Sequence, residues 1–206
     1  MTNPTSSFDI AMARFVKYVL SPGAQRFTLV RSFDDDYSPA KDPYRRIRLA
    51  IQAGRRTGRD EAAMDGAVQN CRQQLRGHYI DIARGWLSFI TPRADATLVS
   101  PGTARWHTTD LTVRVTPDLV LAHPDGTIDA VKLYFYNDPI PAQAAEVTLW
   151  LMQQTLDQTH PEARPMVLDV RRRRQHTKVQ PARGFASWLE SEAASLAFLY
   201  RHHRAA

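Results

Sequence analysis

LTVRVTPDLVLAHPDGTIDAVKLYFY, residues 111–136, is the stretch whose reading decides the fold. Leu111, Val113 and Val115 alternate with Thr112, Arg114 and Thr116, the period-two pattern of a strand with one buried face. Pro117 bends the chain, and Leu119 to Ala122 continue as a second strand. Pro124-Asp125-Gly126 is hairpin chemistry, with proline presetting φ, aspartate bonding its own backbone and glycine accepting positive φ. Ile128 to Tyr136 then read as a third strand. Side chains alternate along it, so Ala130, Lys132, Tyr134 and Tyr136 share one face. Asp129, Val131, Leu133 and Phe135 share the other, which is mostly apolar and suits a core. Asp118, at the start of the middle strand, can reach Lys132 across the hairpin.

Working outward, Asp138-Pro139 reads as a helix start, with aspartate at the cap and proline at the first position. That helix should run to about Asp157, apolar around much of its circumference and therefore lying on the sheet. Pro165 to Val170 read as a fourth strand, followed by Arg171-Arg172-Arg173-Arg174, and Phe185 to Arg201 as a last amphipathic helix. Upstream, apolar spacing predicts a helix over Phe8 to Leu20, stopped by Ser21-Pro22-Gly23. Phe27 to Val30 read as a short strand, Asp34 to Pro39 as an acidic loop, and Tyr44 to Ala53 as a helix closed by Gly54. Asp60 is a candidate cap for a helix or helix pair running to Ile90, with Gly77 and Gly85 as weak points and Thr91-Pro92-Arg93 as the stop. The order predicts an α/β fold: an antiparallel meander, a crossover helix and a strand returning to a mixed sheet with helices on its faces. Residues 1–95 form a helical N-terminal portion packed on a core of residues 96–206, together one compact unit.

The 206 residues are 43% hydrophobic and 23% charged, enough for a sizeable single core. The formal net charge is +6 and the isoelectric point about 9.8, a balance that suits a polyanionic partner. Cys71 is the single cysteine, so no intrachain disulfide and no cysteine-based zinc site can form, which fits a reducing compartment. The run Phe15 to Leu20 is too short and interrupted for a membrane span or a signal segment. The expectation is a cytoplasmic protein without membrane contact. No nucleophile elbow, phosphate-binding glycine loop or paired-histidine zinc motif is present.

The text Pro117-Asp118 … Ala130-Val131-Lys132, with the hairpin between and the helix that follows, resembles the PD-(D/E)XK nuclease superfamily over roughly residues 104–175. The resemblance implies a restriction-endonuclease-like mixed sheet. It implies that Asp118 is the first metal-binding acid and that Lys132 orients water and stabilises the transition state. The middle acid of the motif falls on Ala130, and neighbouring Asp129 points to the opposite face. Some restriction enzymes of this superfamily carry the acid on the following helix instead. Glu146, with thirteen residues between it and Lys132, matches that displacement. Asp118 and Glu146 would then hold Mg2+, which needs only one or two carboxylates. Gln143, one turn earlier, and Tyr134 would support the site. Arg171, Arg172, Arg173, Arg174 and Lys178 would form a phosphate-binding rim.

The implied activity is Mg2+-dependent hydrolysis of DNA. The alternative is a catalytically inactive nuclease fold that binds nucleic acid or a protein partner. Plainer roles stand beside each residue: Asp118 as a turn stabiliser, Lys132 as an edge-strand lysine, Glu146 as part of a solvated helix face, and the arginines as a solvated loop.

Overall fold

The computed structural model describes residues 8–33, 42–178 and 180–205. Eight strands form two mixed sheets among these residues. In the smaller, β4 (Leu111–Val115) lies between β1 (Phe8–Ala11), parallel to it, and β3 (Ala104–His107), antiparallel to it. In the larger, the order is β2 (Thr97–Val99), β5 (Leu119–Ala122), β6 (Ile128–Tyr134), β7 (Ala163–Asp169) and β8 (Arg174–His176). Only the β6–β7 pair in it is parallel. Seven α-helices accompany them: α1 (Met12–Leu20), α2 (Ala24–Arg31), α3 (Arg45–Thr57), α4 (Asp60–Gln69), α5 (Arg76–Ile90), α6 (Ala142–Gln153) and α7 (Phe185–Ala205).

The larger sheet carries a core on each face. Leu119, Leu121, Val131, Leu133, Met166 and Leu168 meet α3, α4 and α5 around Ile47, Ile51, Ile82 and Trp86. On the opposite face, Val120 and Ala130 meet Val147 and Leu151 of α6, and this core continues into α1, α7 and the smaller sheet. As the sequence predicts, α6 is apolar nearly all round, because it is enclosed between the sheet and α1.

Two contacts fix how α3 to α5 seat. Arg55 is buried and donates to the Asp60 carboxylate and to the carbonyls of Ala94 and Ala96, while Trp86 Nε1 donates to Asp60. Gly85 lets α5 approach β7 closely: a Cβ there would lie 1.9 Å from the Val170 carbonyl oxygen. The glycine that reads as a weak point in the helix is the point where helix and sheet touch.

Several expectations change. Residues Phe8–Ala11 are a strand, because β4 supplies a ladder partner a hundred residues away that local helical spacing cannot register. Phe27 to Val30 lie inside α2, the usual ambiguity of a short apolar run. The expected three-strand meander reduces to the β5–β6 hairpin, since the chain leaves β4 and enters the other sheet at Pro117, which has no N–H for a ladder. Helix α3 runs past Gly54 to Thr57, where Gly58 at φ 67° closes it. The stretch from Asp60 to Ile90 is two α-helices, and Asp60 is a helical residue rather than the cap. Helix α6 starts at Ala142 after Pro141 and ends at Gln153, with a separate 3-10 turn at Leu156–Gln158. Strand β6 ends at Tyr134, two residues early. The acidic Asp34–Pro39 expectation lies outside the described residues.

Candidate functional site

Asp118 and Lys132 meet. Asp118 sits where the chain enters β5, its N–H donating to the Val131 carbonyl at 2.9 Å. That bond sets the carboxylate beside β6. Asp118 Oδ2 accepts the Leu133 N–H at 2.9 Å and lies 3.3 Å from Lys132 Nζ. Lys132 also donates to the Thr116 carbonyl at 3.1 Å. Asp118 Oδ1 faces Arg48 Nε at 3.4 Å. The carboxylate is only 9% exposed, against 25% for Lys132 and 30% for Arg48. One main-chain donor and two cations therefore surround a nearly buried anion, the arrangement that compensates its desolvation.

Helix α3 supplies the rest of the setting. Arg48 and Gln52 are one turn apart on one helix face. Gln52 Nε2 donates to the Asp118 carbonyl at 2.9 Å, and Arg48 also donates to Asp42 at 2.9 Å. The Arg48 guanidinium lies 5.6 Å from the centroid of the Phe135 ring. Tyr44 packs on Phe135 and Tyr136, and Tyr136 on Tyr134. Burial first, and then the Asp169 carboxylate, pushes the Tyr134 phenol above its ordinary range. Sequence reading missed Arg48 and Gln52. Their spacing is the one signal available, and it is common to most solvated helices.

Ala130 is fully buried against α6, so the strand position of the middle acid belongs to the core. Asp129 points away from Lys132 and is nearly buried, accepting from His123 at 2.8 Å and from Arg164 at 2.9 Å. Glu146 is half-buried on α6, and among the described residues its side chain makes no hydrogen bond or ion pair. No ion pair joins it to Lys132. Gln143 is exposed. No group of three or more histidine, cysteine or acidic side chains is placed to hold a metal among the described residues.

The arginine run divides. The Arg171 side chain, 6% exposed, is covered at the chain end of β7: it donates to the Phe135 carbonyl at 2.7 Å and to His78 at 2.8 Å, and pairs with Asp81 at 3.3 Å. Arg172 pairs with buried Asp169 at 3.3 Å and also donates to the Asn137 carbonyl. These two tie the segment after β6 to the turn after β7. Arg173, in the left-handed region at φ 56°, and Arg174 and Lys178 are exposed. No helix is long and apolar enough to cross a membrane among the described residues. No protein-family model matches the chain, and no curated protein matches it.

Proposed function

We propose that this chain is a PD-(D/E)XK-like fold that binds nucleic acid and does not hydrolyse it. The observation that carries the reading is the state of Asp118. Both its oxygens face donors supplied by the chain itself, the Leu133 N–H and Lys132 at one and Arg48 at the other. The second strand position that would complete a metal site is the buried Ala130. In the larger sheet the chain order β2, β5, β6, α6, β7, interrupted between β2 and β5 by β3 and β4 of the other sheet, with Asp118 just before β5 and Lys132 inside β6, supports the likeness to the superfamily. The net charge of +6 supports a polyanionic partner.

A second reading is favoured by one feature, the half-buried Glu146, which has no partner among the described residues. In it Asp118 and Glu146 would hold Mg2+, which would supply activation of a water nucleophile, and Lys132 would offset charge at phosphorus. Fluorescence anisotropy with labelled duplex and single-stranded DNA over a salt series, together with plasmid incubation in Mg2+ or Mn2+, separates the two. The expected result is salt-dependent binding without nicking. Nicking that Lys132→Ala and Glu146→Ala both abolish would establish the second reading. Absent or salt-insensitive binding would overturn both and leave a protein-interaction role.

A further inference from the structure

A cavity of about 560 Å³ opens between the start of α3 and the segment that joins α4 to α5. That volume lies within the range of about 300–1,000 Å³ common for small-ligand sites. Arg45, Arg46 and Arg72 line it, with Asn70, Gln74 and Tyr79. The three arginines are exposed, and among the described residues none makes a side-chain hydrogen bond or ion pair. The one acid among the lining residues, Asp42, already pairs with Arg48 at 2.9 Å. Tyr79 is anchored, its hydroxyl donating to the Pro43 carbonyl at 2.7 Å, which leaves the wall firm. Elsewhere in the molecule, Arg26, Arg48, Arg55, Arg114, Arg164, Arg171, Arg172 and Arg201 all pair with carboxylates. Other exposed arginines, such as Arg56 and Arg173, also lack a carboxylate partner among the described residues, but at this concavity three such guanidinium groups converge on one space.

We infer that this cavity binds phosphate groups, carried by a nucleotide or by a nucleic-acid strand. Guanidinium is the side chain best matched to phosphate, because its planar fork donates two parallel bonds to a pair of phosphate oxygens. The amide of Gln74 adds a neutral donor to the same wall, while Asn70 Nδ2 already donates to the Gly66 carbonyl at 2.8 Å. The positive end of α3 beside Arg45 and Arg46 adds to the field without being needed to make the site. Asp42 of the cavity wall accepts from Arg48, which also faces Asp118, so the cavity and the Asp118–Lys132 contact share one chain of ion pairs. The inference does not depend on the nucleic-acid reading, since a free nucleotide satisfies the same chemistry.

The test uses the full chain with two probes, ADP by calorimetry and a labelled oligonucleotide by anisotropy, at two salt concentrations. Arg45→Ala, Arg46→Ala and Arg72→Ala are compared with Arg56→Ala, an exposed arginine of α3 outside the cavity. Each cavity substitution should weaken binding about tenfold, and reduce the salt slope for the oligonucleotide by about 0.7–0.9. Arg56→Ala should change little. Binding of both probes assigns the site to free nucleotides as well as strands, and binding of the oligonucleotide alone assigns it to the strand backbone. Arginine-dependent ADP binding without oligonucleotide binding would keep the site and overturn the nucleic-acid reading. Oligonucleotide binding untouched by the three substitutions would overturn the site and leave that reading standing. Failure of both probes, equal loss in Arg56→Ala, or equally tight arginine-dependent binding of polyglutamate would overturn the inference.

Discussion

Replacing Asp118 measures what its carboxylate does. In Asp118→Ala the Leu133 N–H loses its acceptor, and a main-chain donor left unsatisfied in a nearly buried place costs about 1–3 kcal/mol. Lys132 and Arg48 lose a partner too, but each is a quarter or more exposed and water recovers most of that, leaving about 0–1 kcal/mol for each pair. The expected loss is about 1–5 kcal/mol, or a fall in melting temperature of roughly 2–20 °C for a chain of this length. Asp118→Asn keeps an oxygen for the Leu133 N–H and removes only the charge, so it should lose about 0–1.5 kcal/mol. The assay is urea and thermal unfolding in EDTA, so that no divalent ion stabilises the parent. A double-mutant cycle with Lys132→Ala isolates the pair. If Asp118→Ala is as stable as the parent or more so, or if Asp118→Asn is more stable than the parent, the carboxylate is not held as described. An acid kept free for a metal behaves that way, and the non-catalytic reading would fall with it.

Gly85→Ala should destabilise by about 3 kcal/mol or more in urea unfolding, even though alanine favours helix by about 1 kcal/mol, because its Cβ would overlap the Val170 carbonyl; a neutral result would refute the close approach of α5 to β7. Asp60→Ala leaves the buried Arg55 charge without its counter-ion and Trp86 without an acceptor, so a loss of about 3–5 kcal/mol is expected in the same assay, and a loss under 1 kcal/mol would contradict the buried pair. Burial first, and then Arg174, holds the His176 imidazole below its ordinary value of 6.5. The unfolded chain therefore takes up the proton more readily, and the His176 contribution, present above pH 6.5, is lost as the pH falls below it. His176→Gln should flatten that part of the stability–pH curve, and an unchanged slope would count against it.

Period-two alternation placed β4, and the Pro-Asp-Gly turn between two short apolar runs placed the β5–β6 hairpin, because both signals are local. The meeting of Asp118 with Lys132 was legible for the same reason: a hairpin brings its two strands together whatever surrounds it. Arg48 was not legible, since a guanidinium on a helix about seventy residues upstream carries no mark of the strand it will face. Nor was the division of the arginine run. Arg171 and Arg173 are the same residue type two positions apart, yet one is buried against Phe135, His78 and Asp81 and the other is exposed.

What the sequence determined by itself is an α/β chain with a carboxylate–ammonium pair across one hairpin, no second acid on that strand face, and an excess of arginine. Tertiary structure alone decided that Phe8–Ala11 is a strand, that Pro117 separates two sheets, and which cations close on Asp118. It also decided which arginines are spent on carboxylates and which surround an open cavity. The physical reason is range: alternation, turns and caps act over a few residues, whereas ion pairing, burial and ladder partners depend on chain segments that only folding brings together.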